Sequence, residues 1–400
     1  MIDRRRFAQG LLAGAALPLG GGAQEHAGHG HGTPASAPAA GKRRPTLGTG
    51  AAVGPDGSLW IATFGADQQL LLRTSTDAGR HFSAPRVLPT AGEAVAADGE
   101  NRPKIAFGPG GVVVVSYTQP RPKPFTGFVR LLRSDDGGRS FAPPITVHHD
   151  RSEITHRFEN IAFDARGRLH AVWIDKRDLE QAPKGRYRGA AIYWAVSGDG
   201  GRSFAPETKL ADHSCECCRI ALAPTADGGI AALWRHVFEP NQRDHALARL
   251  VPGAPLQRAT HDGWAIDACP HHGPGLAAAA DGGFHAVWFG ERQGVPGVRY
   301  GRLDAHGAPE GEARLLPDEG AEHADVAAAG ERVAVVWRSF AAGATRLRAW
   351  CSTDGGRRFT LRELASSIEE NDQPRLLRHG DRLIALWRDA QEVHVETLFD

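Results

Sequence analysis

The sequence predicts an all-β fold built from repeated four-stranded antiparallel sheets. Two internal repeats support this prediction, and so does a turn-rich composition of 49 glycines and 26 prolines in 400 residues. One repeat is a polar turn motif, and the other is a strand–turn–strand unit that recurs roughly every 50 to 60 residues. A series of such units with four strands per repeat is the pattern of a β-propeller.

The turn motif has the form Ser-x-Asp-x-Gly-x-x-Phe and occurs four times. In each copy we expect the Asp to accept backbone N–H groups of a hairpin turn and the Gly to adopt the left-handed conformation. The Phe is expected to pack beneath the sheet, so the motif predicts a structural role. The four aspartates are Asp77, Asp136, Asp199 and Asp354.

The strand repeat joins two apolar segments through a turn that contains Gly or Asp, and the second segment ends in an aromatic residue. Apolar alternation between such turns indicates strands. We count seven units, of which the last lacks the turn motif and one strand, so a strand near residues 42 to 50 is expected to close the ring. From the second unit on, the aromatic residues are Tyr117, Trp173, Trp234, Trp288, Trp337 and Trp387.

The four turn motifs resemble the Asp-box of the sialidase-type (BNR-repeat) propellers, over nearly all of residues 46–400. Sialidases proper have six blades, which is the alternative to our count of seven. The resemblance implies three arginines that hold a substrate carboxylate, for which Arg102, Arg219 and Arg375 are the candidates, and a tyrosine nucleophile, for which Tyr300 is the candidate. The chain departs from the family's Phe/Tyr-Arg-Ile-Pro motif, to which "NRPKIAF" is the nearest match.

The N-terminus predicts export. Residues 1–23, "MIDRRRFAQGLLAGAALPLGGGA", resemble a twin-arginine signal peptide, with cleavage expected after Ala23 and a bacterial periplasm as the destination. Residues 24–45 form a low-complexity segment that we interpret as a disordered tether. Its His26, together with a free N-terminus, offers nitrogen ligands in a plane that suit Cu(II) or Ni(II), and His29 and His31 extend this capacity.

Charge and hydropathy exclude two classes of partner. The formal net charge is +1 with 23% charged residues, so no surface for nucleic acid or anionic membranes is indicated. After residue 23 no segment is long and apolar enough for a transmembrane helix. The expected partners are a metal ion, or a small molecule or glycan.

Four of the five cysteines lie in two short segments, "HSCECCRIALAP" at 213–224 and "DACPHHGPGL" at 267–276. In a propeller the loops that precede the innermost strands meet at one end of the central channel, so these segments are expected to lie close together. Thiolates and imidazoles together favour copper first and zinc second. The candidate ligands are Cys215, Cys217, Cys218, Cys269, His271 and His272, with His323 and His156 next.

Four other interpretations of these loops stay open. The four cysteines are also compatible with two structural disulfides between neighbouring blades, since an exported protein meets oxidising conditions. A redox-active thiol pair is a further alternative. Finally, the loops are compatible with a glycoside hydrolase site or with a non-catalytic module that binds a glycan.

Overall fold

The computed structural model describes residues 47–399, except residues 66, 98 and 269. The described chain forms seven antiparallel sheets, which are the blades of a seven-bladed β-propeller. The signal peptide, the tether and the tail histidines His26, His29 and His31 lie outside the described residues. In the described part, no helix combines the length and apolar character needed to cross a membrane.

Within each blade the strands follow chain order from the channel outward. Blade 1 contains β1 (Gly50–Val53), β2 (Leu59–Phe64), β3 (Leu70–Ser75) and β4 (Arg86–Val87). Blade 2 contains β5 (Lys104–Phe107), β6 (Val113–Pro120), β7 (Gly127–Ser134) and β8 (Ile145–Thr146). Blade 3 contains β9 (His156–Phe163), β10 (Leu169–Asp175), β11 (Ala190–Ser197) and β12 (Thr208–Ser214), with the short helix α1 (Arg177–Gln181) between β10 and β11.

The remaining blades follow the same plan. Blade 4 contains β13 (Ala221–Pro224), β14 (Ile230–Arg235), β15 (His245–Arg249) and β16 (Gln257–Arg258). Blade 5 contains β17 (Gly275–Ala278), β18 (Phe284–Arg292), β19 (Val295–Leu303) and β20 (Pro309–Leu315). Blade 6 contains β21 (Glu322–Ala329), β22 (Arg332–Ala341), β23 (Ala344–Ser352) and β24 (Thr360–Ser367), and blade 7 contains β25 (Arg375–His379), β26 (Arg382–Arg388) and β27 (Val393–Thr397).

The innermost strands form a closed ring. Each of them contacts the innermost strand of the next blade, and β25 of blade 7 contacts β1 of blade 1. The count of seven is therefore confirmed, and the six-bladed alternative is wrong. Among the described residues blade 7 has three strands. The expected closing strand is not found at residues 47–49, because the first strand begins at Gly50 and belongs to blade 1; residues 42–46 lie outside the described part.

The repeated aromatic residues form the core between blades. All six are at most 4% exposed. A carboxylate accepts a hydrogen bond from several of these side chains, as when Trp173 Nε1 donates to Asp175 at 2.9 Å and Trp337 Nε1 donates to Asp318 at 2.6 Å. These two rings are thus buried with their N–H groups satisfied, whereas Trp234 Nε1 is buried without a partner among the described residues.

The turn motifs have the predicted geometry. In the second copy, Asp136 Oδ1 accepts from Ser140 N at 2.9 Å, and Ser134 Oγ accepts from Gly138 N at 2.8 Å. The four motif glycines have φ values of 86°, 80°, 92° and 83°, in the left-handed region where a side chain is strained. The motifs join the third and fourth strands of blades 1, 2, 3 and 6, so strand alternation places them at the end of the channel where the innermost strands finish.

Candidate functional site

A cavity of about 320 Å³ opens at the other end of the channel, where the innermost strands begin. All seven blades contribute residues or preceding loops to its wall, because the loops that enter the innermost strands converge there. Three of its cationic residues are the arginines predicted from the sequence, Arg102, Arg219 and Arg375. Asp325, which lies in a segment expected at this end of the channel, also lines the cavity, and so does Lys104, which the sequence analysis missed.

Two of the arginines are held by the protein itself. Arg102 is 1% exposed, and its Nη2 lies 2.9 Å from Asp372 Oδ1. Arg219 is 4% exposed; its Nη1 lies 3.1 Å from Glu100 Oε1, and its Nε donates to the Pro274 carbonyl at 2.8 Å. These contacts link loops of different blades, so both arginines stabilise the cavity wall.

Arg375 and Lys104 are less fully paired. Among the described residues the Arg375 guanidinium makes no hydrogen bond, and its nearest carboxylate oxygen belongs to Asp325 at 4.0 Å. The Lys104 ammonium donates to the Arg102 carbonyl. Burial, reinforced by repulsion from Arg102 and Arg219, lowers the pKa of Arg375 to about 9. Burial also lowers the pKa of Lys104 to about 7; attraction to Glu159 opposes this shift, and repulsion from Arg375 adds to it. Burial and the repulsion between these cations thus both disfavour their charged forms.

Two buried glutamates interact with cations that line the cavity, Glu159 with Lys104 and Glu100 with Arg219. Glu159 accepts hydrogen bonds from Thr118 Oγ1 at 2.9 Å and Ser116 Oγ at 3.2 Å, and burial raises its pKa. Glu100 is 1% exposed and accepts from Arg219 N at 2.9 Å and from Gly273 N. Burial opposes its ionisation, but the attraction of Arg219, the contact with His323 and the hydrogen bond from the Arg219 amide together outweigh burial and hold the pKa of Glu100 well below its usual range.

A histidine group adjoins Glu100. His323 Nδ1 lies 3.3 Å from Glu100 Oε1, and its ring stacks on that of His272 with centroids 4.5 Å apart. Ligand atoms of His272, Glu322 and His323 lie within 4.8 Å of one another. Burial lowers the pKa of both imidazoles, which keeps them neutral. His271, by contrast, is exposed.

Three predicted cysteines form a second, separate group in the loop between β12 and β13. Cys215 Sγ lies 3.9 Å from Cys217 Sγ and 3.7 Å from Cys218 Sγ, and all three are buried between blades 3 and 4. These distances exclude a disulfide from Cys215 to either neighbour, since a bonded pair lies at about 2.05 Å. Cys269 lies outside the described residues. The hydrogen bond to Cys215, followed by burial, raises the pKa of Cys218.

The remaining candidates lie elsewhere. His156 stacks on His148 with ring centroids 3.9 Å apart, and its Nε2 lies 3.6 Å from Asp175 Oδ2. Tyr300 packs in the core of blades 5 and 6, where its hydroxyl lies 2.7 Å from His285 Nδ1. Tyr300 is not among the residues that line the cavity. The structure therefore brings together the three arginines, but not the tyrosine.

Comparisons with known proteins support the fold. No protein-family model and no curated protein sequence matches this chain. A polysaccharide lyase of family PL25, an ulvan lyase bound to -[GlcA(1-4)Rha3S]-, matches with a TM-score of 0.50 and 10% identity over 90% of this chain and 93% of its own. The GH93 α-L-arabinofuranosidase of Fusarium graminearum with arabinobiose matches with a TM-score of 0.50 and 12% identity over 80% and 92%.

A sialidase is also among the similar structures. The K499G mutant of NanB sialidase from Streptococcus pneumoniae matches with a TM-score of 0.47 and 8% identity, over 85% of this chain and 83% of its own. At such identities these similarities extend to the propeller fold and no further. The predicted propeller is confirmed by the seven blades described above, while membership in the BNR-repeat family stays a prediction.

Proposed function

We propose that this propeller binds an acidic glycan and holds a carboxylate or sulfate group of that glycan in the central cavity. The observation that carries the proposal is the convergence of four cationic side chains on one cavity, from the loop and first strand of blade 2, the loop before blade 4 and the first strand of blade 7. They are Arg102, Lys104, Arg219 and Arg375. An anion between them would offset their mutual repulsion.

Arg375 and Lys104 are the groups best suited to contact the ligand. Arg102 and Arg219 already donate to carboxylates and carbonyl groups of the protein, whereas Arg375 keeps its donors available within the described structure. A guanidinium can bind a carboxylate or sulfate through two parallel hydrogen bonds. We therefore assign the primary anion contact to Arg375 and a second contact to the Lys104 ammonium.

The ligand class follows from charge and fold together. Proteins of the same fold include the ulvan lyase whose bound oligosaccharide contains a glucuronate and a sulfated rhamnose. That similarity alone carries only the fold, but the cation cluster independently favours the same kind of ligand. Hydrolysis by a sialidase-type mechanism has less support, because no tyrosine is among the described residues that line the cavity.

Calorimetric titration tests this function directly. Oligosaccharides that carry uronate, sialic acid or sulfate should bind, and their affinity should fall as salt is added, since screening weakens charge attraction. Neutral arabino-oligosaccharides of the same length serve as the matched control. Equal affinity for neutral and acidic ligands would rule out the proposal.

The affinity is expected to depend on pH through Lys104. Because the pKa of Lys104 is lowered to about 7, its ammonium is present below that pH and is lost above it. An anion binds the protonated form better, so affinity should fall about tenfold between about pH 6 and about pH 8. Titrations with the acidic glycan at several pH values measure this slope.

Lys104→Met is the variant that assigns the pH dependence. It should bind the ligand more weakly at about pH 6 and show little change up to about pH 8, because the titrating cation is gone. A Lys104→Met protein that retains the full slope would show that another group is responsible.

A further inference from the structure

The three thiols between blades 3 and 4 form a preorganised cluster that the glycan proposal does not use. We propose that Cys215, Cys217 and Cys218 bind one Cu(I) ion. All three sulfur atoms lie within 4.8 Å of one another, and all three side chains are buried. This site is distinct from the cavity, and the inference does not depend on the proposed glycan function.

The sulfur spacing fits a metal ion at the centre of the cluster. With metal–sulfur bonds of about 2.3 Å, two ligand sulfurs lie about 3.8 Å apart in a tetrahedral site and about 4.0 Å apart in a trigonal one. The two distances from Cys215 Sγ are 3.9 Å, which falls in this range, and 3.7 Å, which lies just below it. Binding therefore requires little rearrangement of the loop.

The chemistry of the cluster favours Cu(I) over Zn²⁺. Thiolate sulfur is a soft ligand that suits Cu(I) and zinc. Zn²⁺ in structural sites takes four ligands almost without exception. Cu(I) is stable at low coordination number, so the three sulfurs are already sufficient for it.

The surroundings stabilise a buried thiolate site. Ile220 and Trp234 belong to the apolar cluster that contains the cysteines, so the site excludes water. Arg243 Nη1 donates to Cys215 Sγ at 3.5 Å, and Arg235 is close enough to act on Cys218 electrostatically. Two cations thus offset part of the negative charge that the thiolates keep after binding a monovalent ion.

The backbone fixes the loop in this position. Cys215 N donates to the Arg235 carbonyl at 2.9 Å, and Ser214 continues β12 up to the cluster. The position of Cys215 is therefore fixed by the neighbouring strand β14 and by the end of β12.

Anaerobic titration of the reduced protein with Cu(I), in competition with the chromophoric ligand bicinchoninate, tests the site. We expect one Cu(I) per chain to be withheld from the competitor, with X-ray absorption that reports sulfur ligands at about 2.3 Å. Cys217→Ser and Cys218→Ala should each weaken Cu(I) binding by at least about 100-fold, as loss of one ligand predicts. Cys351→Ser is the matched control, because Cys351 lies on β23 outside the cluster, and it should bind as the unaltered protein does.

A second measurement does not depend on how the variants fold. Stoichiometric Cu(I) should raise the melting temperature of the unaltered protein, since an ion that binds the native state stabilises it. Three results would overturn the inference: no Cu(I) retained against bicinchoninate, equal retention by well-folded Cys217→Ser protein, or tight binding of Zn²⁺ in place of Cu(I).

Discussion

Replacing Glu100 with alanine is expected to lower the free energy of unfolding by about 3 to 5 kcal/mol, as removal of one partner from a buried ion pair typically does. The carboxylate is 1% exposed and pairs with Arg219, which is itself 4% exposed. Without Glu100 the Arg219 charge stays buried with carbonyl partners only, and the Gly273 amide loses its acceptor. Urea denaturation followed by tryptophan fluorescence measures the loss.

Two further variants separate charge from packing. Glu100→Gln keeps the shape of the side chain and should cost less than Glu100→Ala, because it still offers one oxygen acceptor. The double variant Glu100→Leu with Arg219→Met should recover part of the stability, since neither buried charge is then left alone. If Glu100→Ala unfolds at the same urea concentration as the unaltered protein, the ion pair does not hold the blades together.

Arg375→Met is expected to weaken binding of the acidic glycan about 10- to 150-fold, which corresponds to the loss of charge-assisted hydrogen bonds worth about 1.5 to 3 kcal/mol. Stability should stay the same or rise. Arg375 lies 4.0 Å from its nearest carboxylate oxygen, and repulsion from Arg102 and Arg219 acts on it. Its removal relieves that repulsion, so the variant loses function without losing the fold.

The control for this prediction lies on the same strand. Arg378→Met removes an exposed guanidinium three residues further along β25, whose Nε donates to the Gly380 carbonyl at 3.0 Å. It should bind the glycan as the unaltered protein does. Reduced stability of Arg375→Met together with unchanged affinity would show that Arg375 supports the structure and does not contact the ligand.

Structural features that depend on residues close together in the sequence were predictable. The turn motif places its Ser, Asp and Gly within five positions, so the hydrogen bonds of Ser134 and Asp136 follow from local geometry. The buried aromatic within the second strand of blades 2 to 7 was predictable for a similar reason, because period-two alternation fixes which side chains face the core.

The pairing of charges around the cavity was not predictable in this way. Arg219 and Glu100 are 119 positions apart, and no periodicity links them. Propeller topology predicts which loops meet, but not which side chains turn toward each other.

Cys215, Cys217 and Cys218 were predicted as neighbours because they share one loop. His272 was assigned to the same site, and the structure places it with Glu322 and His323. A resemblance to sialidases suggested Tyr300, which its strand position directs into the blade core.

Asp372 joins the two ends of the ring of blades, because it contacts the segments that precede blades 1 and 2. Thr49 N donates to Asp372 Oδ2 at 2.6 Å across 323 positions of the chain, and Asp372 Oδ1 lies 2.9 Å from Arg102. The contacts within and between consecutive blades join segments that lie close in sequence. The junction at Asp372 instead closes nearly the whole described chain into a loop. Closing a loop of that length costs the most conformational entropy. Assembly of the ring is thus expected to end at this junction, and native-state opening to begin there, beside the cavity wall that Arg102 stabilises.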